Sequence, residues 1–442
     1  MKFLSIKTKC DFTKGSTRSM KPTNKLPAST SINLILVKNI MNKTNIDPEK
    51  IKELLTHNVE EVIIKEDLEK KLASGKKLRV KLGCDPSRPD LHLGHSVVFR
   101  KLKEFQDMGH QVVFIIGDYT GMIGDPSGKS KTRPAMTKEE VRENAKSYFT
   151  QVGKILDIKK TEIRYNSEWF SKMNFEEILK LQSKFTVARI LERDDFSKRL
   201  KNGIDISVNE IMYPIMQAYD SIIIDADVEV GGTDQKFNML AGRSLQKKLE
   251  QPQQNVLTCP LLVGLDGTEK MSKSFDNYIS ITEHPNSMFG KIMSISDKMI
   301  YYYFKLLTDI SENKLKKIKS DLEDSVKNPR DIKVELAKNI VEIYHGKKEA
   351  EKAEEEFNKI FRDKQKPTEI KEMELEIGNW KLVDLLVEIK LADSKGSARR
   401  LVQQGGVRID DVAQKDFEKY IEVKNGMVVQ VGKRKFVKIK CQ

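Results

Sequence analysis

Residues 78–95 read Leu-Arg-Val-Lys-Leu-Gly-Cys-Asp-Pro-Ser-Arg-Pro-Asp-Leu-His-Leu-Gly-His. Lys77–Leu82 reads as a β-strand that ends at Gly83, a residue that lets backbone approach a ligand closely. A proline-rich loop follows, and a helix is expected to begin at or after His92. Free N–H groups and positive potential at a helix N-terminus suit a polyphosphate. His92 and His95, three apart, share one face of the first turn and can donate to phosphate oxygens. A helix cap with two structural histidines is the plainer reading. The chain holds only six histidines, so pairing two of them at a helix start weighs against it.

The pattern continues outward from this turn as alternating strands and helices. Ser96–Met108 reads as a helix and Val112–Ile116 as a buried parallel strand. Residues 137–156 read as one helix, and Asp220–Val230 contains a strand followed by Gly-Gly and another helix. These features predict an α/β fold with a doubly wound, Rossmann-like parallel sheet over residues 46–290. A helical period dominates residues 291–366, where Lys347–Lys366 reads as an exposed, salt-bridged helix before a linker at Lys366–Pro367. Residues 375–442 read as a small α+β domain. Its helical patterns lie at Lys381–Leu391 and Ser397–Gln404, and its short strands at Val407–Ile409, Ile421–Val423, Met427–Val431 and Phe436–Ile439.

The 442 residues exceed what one core usually organises, in line with several domains. No apolar run is long enough to span a membrane. Cys10, Cys84, Cys259 and Cys441 are isolated, which argues against a zinc site or a disulfide framework and for a reducing compartment. A net charge of +14 suggests a polyanionic partner such as nucleic acid, or else an ordinary lysine-rich surface. Residues 1–45 form a basic extension in which Asp11 is the only acid before residue 41. They read as an upstream extension in a cytoplasmic protein, or as a mitochondrial or plastid transit segment. After Met41 a helix is expected to open with Asp47 as N-cap and Pro48 at its first position.

Three further segments carry chemistry. Lys270-Met-Ser-Lys273-Ser is a cationic loop. Gly124-Asp125-Pro-Ser-Gly-Lys129 is a turn bearing a carboxylate, with Lys129 and Arg133 behind it; it is not a P-loop. Tyr213, Gln217 and Asp220 fall at i, i+4 and i+7 and share one helix face. That face is either a core stripe or the polar wall of a pocket.

HLGH followed by KMSKS resembles the paired signature of class I aminoacyl-tRNA synthetases. With GDPSGK, Tyr213-Pro-Ile-Met-Gln217-Ala-Tyr-Asp220 and Gly231-Gly-Thr-Asp234-Gln235, residues 46 to 440 resemble bacterial-type tyrosyl-tRNA synthetases. The resemblance implies that tyrosine is activated by ATP with Mg²⁺, then transferred to tRNA(Tyr) by a homodimer. No protein-bound metal is implied. Asp125, Tyr213 and Gln217 would hold the α-ammonium and Asp220 would accept the tyrosine hydroxyl. Asp85 and Gln235 would line the adenylate site. Gly83, His92, His95, Gly232, Asp234, Lys270 and Lys273 would bind ATP, with Asp234 on the ribose. Ser87, His92, His95, Lys129, Arg133, Lys270 and Lys273 would supply donors to the reacting phosphates. Residues 291–366 would meet the anticodon. In residues 375–442, similar to a small RNA-binding module, Lys395, Arg399, Arg400, Arg408, Lys433, Arg434 and Lys435 would contact tRNA phosphates. Many family members carry a tyrosine two residues before the glycine matched by Gly83, and it shares the hydroxyl contact. This chain has Lys81 there.

Other readings are a tryptophan enzyme of the same fold, a non-catalytic RNA binder and a pantothenate-synthetase-like ligase. The sister enzyme for tryptophan usually lacks the Gln217/Asp220 pair and the third domain. A pure RNA binder has no physical need for intact phosphate motifs. The C-terminal module argues against the third reading.

Overall fold

The computed structural model describes residues 44–127, 136–324, 326–362, 370–432 and 435–441. Its central sheet has six strands: β1 (Glu61–Ile63), β2 (Arg79–Cys84), β3 (Gln111–Ile116), β4 (Glu162–Tyr165), β5 (Val228–Gly232) and β6 (Asn255–Cys259). Their order is β1-β6-β5-β2-β3-β4. Neighbours are parallel except the edge strand β1, which runs antiparallel to β6. Burial on both faces explains the sequence of β3, where Val112 to Ile116 are all buried.

The chain leaves β2 towards β3 and β4, then returns to the other side for β5 and β6. The order therefore reverses between β2 and β5, and a crevice opens beyond their carboxyl ends. Three helices border it. These are α1 (Leu93–Asp107), which follows β2, then α2 (Val208–Ile223) and α3 (Lys236–Lys248), which flank β5. The strand expected at Lys77–Leu82 thus lies two residues later. Asp47 caps the first described helix, its side chain accepting from the Glu49 N–H at 2.9 Å, with Pro48 at the first position.

The single helix expected over 137–156 is two, Lys138–Ala145 and Tyr148–Val152. Tertiary hydrogen bonds supply the reason. Ser147 Oγ donates to the Pro89 carbonyl at the break. One turn on, Gln151 Oε1 accepts from the Leu91 N–H at 2.6 Å and Nε2 donates to the Pro89 carbonyl at 2.8 Å. The broken helix thereby braces the loop that delivers His92.

Helices α4 (Pro285–Met293), α5 (Ile300–Leu307), α6 (Glu312–Glu323), α7 (Pro329–His345) and α8 (Lys347–Phe361) follow. Helix α8 is salt-bridged, as in Lys338–Glu354 at 2.8 Å, but it is not exposed all round. Ala350 and Ala353 are buried, and Phe357 packs on Phe289 with ring centroids 5.4 Å apart. One apolar core runs from Ile51 to Ala353. The linker expected at Lys366–Pro367 lies outside the described residues, as does the basic extension through residue 43.

A separate apolar cluster, with Leu386, Val402, Val429 and Ile439 at its centre, organises the C-terminal part. Its strands are β7 (Lys371–Leu375), β8 (Asn379–Lys381), β9 (Val407–Ile409), β10 (Val412–Gln414), β11 (Tyr420–Glu422), β12 (Val428–Val431) and β13 (Lys435–Cys441). A five-stranded sheet runs β10-β9-β12-β13-β7, while β11 pairs with β8. Helices α9 (Leu382–Glu388) and α10 (Lys395–Gln403) complete it. Strands β7, β8 and β10 were not expected. They are short, and polar residues interrupt their alternation, so pairing partners decide them.

Candidate active site

The crevice at the β2/β5 reversal holds a cavity of about 300 Å³. Gly83, Asp85, Ser87, His92, His95, Asp125, Tyr213, Gln217, Asp220, Gly232, Asp234, Gln235, Lys270 and Lys273 all line it. Residues from six stretches of chain therefore meet in one place. Lys129 and Arg133 lie outside the described residues.

One end of the cavity is built on α2. The shared helical face expected for Tyr213, Gln217 and Asp220 is the cavity wall. The Tyr213 hydroxyl donates to Asp85 Oδ2 at 2.8 Å, and Thr120 donates to Oδ1 at 2.7 Å. Burial beside Asp85 and Asp125 holds the Tyr213 phenol well above its usual pKa, so it acts as a neutral donor. Asp125 accepts from Ser127 Oγ at 2.7 Å and from Gln235 Nε2 at 2.6 Å. The buried Arg193 stands behind them, donating to Ser127 Oγ and Asn238 Oδ1, each at 2.9 Å.

Asp220 lies deeper, 3% exposed. Trp169 Nε1 donates to its Oδ1 at 2.9 Å. Burial pushes its carboxyl up to about 7, against opposing pulls from Lys81, Trp169 and Asn166. A carboxylate has about four lone-pair directions, so it can still accept from a phenolic hydroxyl entering the cavity. Gln217 Nε2 donates to Glu229 Oε1 at 3.1 Å, which uses one of its two N–H groups and fixes which way the amide carbonyl oxygen, its acceptor, points.

Donors gather at the opposite end. His92 is the N-cap of α1, and its Nδ1 accepts from the Gly94 N–H at 3.1 Å. His95 Nδ1 accepts from the His92 N–H at 3.2 Å, and the rings lie 3.8 Å apart. Burial drives His92 far below its usual pKa and His95 down to about 3, with Lys273 adding to the effect. Both imidazoles are therefore neutral. With Nδ1 an acceptor in each, the hydrogen sits on Nε2, which is the atom left to donate. A Cβ on Gly94 would fall 2.9 Å from the His92 ring, so the absence of a side chain there permits the cap.

The cationic loop is tied down on both lysines. Lys270 Nζ meets Asp234 Oδ2 at 2.5 Å, and Lys273 Nζ meets Asp90 Oδ1 at 3.3 Å and donates to the Asp90 carbonyl. Burial draws the Lys273 pKa down while Asp90 opposes it. Gly232 lets Asp234 turn inward, since a Cβ there would lie 2.8 Å from Asp234 Oδ1.

Thr120, Trp169, Glu229, Arg193 and Gly117 escaped the sequence reading. No motif marks them, and each reaches the site through the fold. Gly117 is the most demanding, because a Cβ would stand 2.0 Å from Asp85 Oδ1 and 2.3 Å from Thr120 Oγ1. Gly117→Ala is expected to dislodge Asp85, lowering kcat/KM for tyrosine activation at least ~10-fold, with a stability loss of about 1–3 kcal/mol. Pyrophosphate exchange and thermal unfolding measure the two effects, and wild-type exchange would show that Asp85 needs no such room.

Far from this cavity in sequence, Lys395, Arg399, Arg400, Arg408 and Lys435 are exposed on the C-terminal part. Lys395 pairs with Asp384 at 2.8 Å, and Arg399 stacks over Phe417 at 5.4 Å. Lys433 and Arg434 lie outside the described residues.

Comparison with known proteins agrees with this architecture. Residues 72–362 match the family described as tRNA synthetases class I (W and Y). Residues 363–439 match the tyrosine–tRNA ligase SYY-like C-terminal domain. The tyrosine–tRNA ligase of Thermotoga maritima is 52% identical over 392 residues, covering 89% of this chain and 98% of that protein. That of Francisella tularensis is 51% identical over 387 residues, covering 88% and 97%. The structure of tyrosyl-tRNA synthetase from Archaeoglobus fulgidus, complexed with L-tyrosine, aligns at TM-score 0.57 and 26% identity over 70% of this chain and 100% of that one. A C-terminally truncated mitochondrial tyrosyl-tRNA synthetase from Coccidioides posadasii shares the fold at TM-score 0.58 and 22% identity, over 74% of this chain and 100% of that one. With the HLGH turn and the KMSKS loop lining one cavity, and a tyrosine-ligase module at the C-terminus, the chain belongs to the tyrosine–tRNA ligases, the tyrosine branch of the class I aminoacyl-tRNA synthetases.

Proposed function

We propose that the cavity seats tyrosine with its hydroxyl on Asp220 and its ammonium among Asp125, Tyr213 and Gln217, and seats ATP between the HLGH turn and the KMSKS loop. The observation carrying this reading is the polarity of one cavity, with buried acceptors on the α2 side and N–H and ammonium donors on the α1 side. A tyrosine carboxylate oxygen attacks the α-phosphorus, a new P–O bond forms, and pyrophosphate leaves. The terminal ribose hydroxyl of tRNA(Tyr) then attacks the carbonyl carbon, and AMP departs. Neither step needs a side-chain nucleophile; the residues orient two anions and stabilise growing phosphate charge. Ser87, His92, His95, Lys270 and Lys273 are the described donors for that charge, and Lys129 and Arg133 are proposed to add to them. Asp85 and Gln235 line the adenylate, Gly83 and Gly232 let it approach, and Asp234 receives the ribose once Lys270 releases it. Mg²⁺ enters with ATP as a companion of its phosphates. The site carboxylates Asp85, Asp90, Asp125 and Asp234 are each engaged by protein donors, which suits an ion carried mainly by substrate oxygens and water.

Residues 46–290 are proposed to do this chemistry, 291–366 to meet the anticodon and 375–442 to grip tRNA phosphates. A homodimer is also proposed. Phe175, Leu179, Val187 and Leu200, on the helices that precede α2, and Val208, at the start of α2, are exposed, and a partner subunit would cover them. A cytoplasmic setting is proposed from the thiols Cys84, Cys259 and Cys441, which are unpaired. Among the described residues, no helix is long and apolar enough to cross a membrane.

ATP–pyrophosphate exchange across all twenty amino acids tests the reading, with tyrosine alone expected to support exchange. Asp220→Asn is expected to lower kcat/KM for tyrosine roughly 30- to 150-fold, the value of a charge-assisted hydrogen bond of about 2–3 kcal/mol. Stability should move the other way. A carboxyl raised to about 7 from 3.8 gains a proton on folding inside that window, so stability falls as pH rises through it. The asparagine variant escapes that loss and should melt no lower than wild type at pH 8. Unchanged tyrosine kinetics would remove Asp220 from the pocket.

A further inference from the structure

Beneath the α2 wall lies a charged network that neither step of the reaction uses. Lys81, on β2, is wholly buried. Its ammonium makes three contacts: the Gln217 carbonyl at 2.9 Å, Ser221 Oγ at 2.7 Å and Glu229 Oε1 at 2.9 Å. Three donors are all an ammonium has, so the group is saturated. Glu229, on β5, is 1% exposed. It accepts from Gln217 Nε2 at 3.1 Å, Ser221 Oγ at 3.3 Å and Gln254 Nε2 at 2.5 Å. Gly242 on α3 leaves the space, since a Cβ there would lie 2.8 Å from Gln254 Nε2 and 3.0 Å from Ser221 Oγ.

Two apolar residues of similar volume would commonly be as stable as such a pair. Its placement makes it more than filler. It joins the two strands at the topological switch to the helix face bearing Gln217 and Asp220. We infer that the Lys81–Glu229 pair is a positioning and specificity-determining device for the tyrosine pocket. It orients the Gln217 amide and tunes Asp220 electrostatically as the acceptor that tells tyrosine from phenylalanine.

The two charges act on Asp220 with opposite sign. Lys81 favours its carboxylate and Glu229 opposes it. The other groups facing Asp220 are Trp169 and Asn166, which donate to it, and Tyr213 on its own helix, which stays neutral. No other charge replaces Lys81 among these, so its loss shifts Asp220 towards the protonated form. A neutral acid left without a phenol partner is less costly than a carboxylate, so rejection of phenylalanine weakens as well.

This inference rests on Asp220 serving as the tyrosine acceptor, and the experiment keeps the two apart. The pH profile of kcat/KM for tyrosine is measured by pyrophosphate exchange in full-length Lys81→Met, Glu229→Gln, the double variant and Asp220→Asn. Lys81→Met is expected to move the acid limb up by about one unit or more, and Glu229→Gln to move it down. The double variant removes both charges, leaves neither buried alone, and should return the limb close to wild type. At neutral pH the tyrosine-to-phenylalanine ratio should narrow about tenfold in Lys81→Met and hold in Glu229→Gln. A purely structural pair would lower melting temperature and turnover while leaving the acid limb in place in both single variants, and that result overturns the inference. Should Lys81→Met fail to fold, the downward shift in Glu229→Gln decides the matter. If Asp220→Asn itself leaves tyrosine kinetics unchanged, the pocket assignment has failed; if only the limbs stay put, this inference alone has.

Discussion

Lys270→Ala and Lys273→Ala should each lower kcat for tyrosyl-adenylate formation about 100- to 1,000-fold, the usual effect of removing one preorganised donor to developing charge. KM for tyrosine should change less than about threefold. The geometry explains the split. Lys270 rests on Asp234 and Lys273 on Asp90, so in the proposed role each ammonium would leave a carboxylate before meeting a phosphate. An interaction that replaces an existing ion pair adds little to ground-state binding. It gains most where pyrophosphate charge builds, and that difference raises turnover rather than affinity. Burial adds to the effect at Lys273, which is 9% exposed and so partly shielded from water. The paired Lys270→Ala/Lys273→Ala variant should fall short of the product of the single effects, because both lysines sit on one loop and would act on the same developing charge. Single-turnover adenylate formation and equilibrium tyrosine binding separate the quantities. Normal turnover with weakened tyrosine binding would contradict the role given to the loop.

Removal of the C-terminal module should leave adenylate formation within about twofold of wild type, yet lower kcat/KM for tRNA charging at least ~100-fold if about two charge-assisted phosphate contacts are lost. The cut has to respect the sheet. Strand β7 pairs with β13 from Lys371↔Val437 to Cys441↔Leu375, so a deletion beginning at residue 375 would strand an unpaired edge. Deleting residues 370–442 removes the sheet whole. Its apolar cluster, from Leu375 to Ile439, shares no residue with the core that runs from Ile51 to Ala353. The adenylate site should therefore survive. Lys395, Arg399, Arg400, Arg408 and Lys435 are exposed and would leave with the module. Losing these contacts should make the slope of log affinity against log salt shallower by roughly 3–5. Nitrocellulose-filter or fluorescence binding at several salt concentrations reads the slope. Equal affinity and equal slope for the two proteins would make the basic surface an ordinary solvated one.

Local chemistry made much of this site legible in the sequence. A strand followed by a helix start at His92 is a property of a short segment, although β2 runs through Gly83 to Cys84, and the helix cap that the sequence weighed against is what His92 and His95 form. The i, i+4, i+7 spacing placed Tyr213, Gln217 and Asp220 on one helical face before any fold was known. Apolar runs such as Val112–Ile116 announced a sheet buried on both sides. Element boundaries followed less well. The helix over 137–156 breaks where Ser147 and Gln151 turn to the Pro89 loop, and strands β7 and β8 exist because β13 and β11, far along the chain, pair with them.

Tertiary structure alone decided what the side chains do once assembled. Asp85 meets Tyr213 across 128 residues, and Lys81 meets Ser221 across 140. Residue type does not reveal that Lys81 is buried, that Gly117 stands where no Cβ fits, or that both loop lysines rest on carboxylates. The neutrality of His92 and His95 and the raised pKa of Asp220 are likewise products of desolvation, which depends on how much protein surrounds a group. Spacing and propensity are written in neighbours along the chain. Burial, charge pairing and steric room are set by neighbours in space, and only the folded arrangement of β2, β5 and α2 determines those.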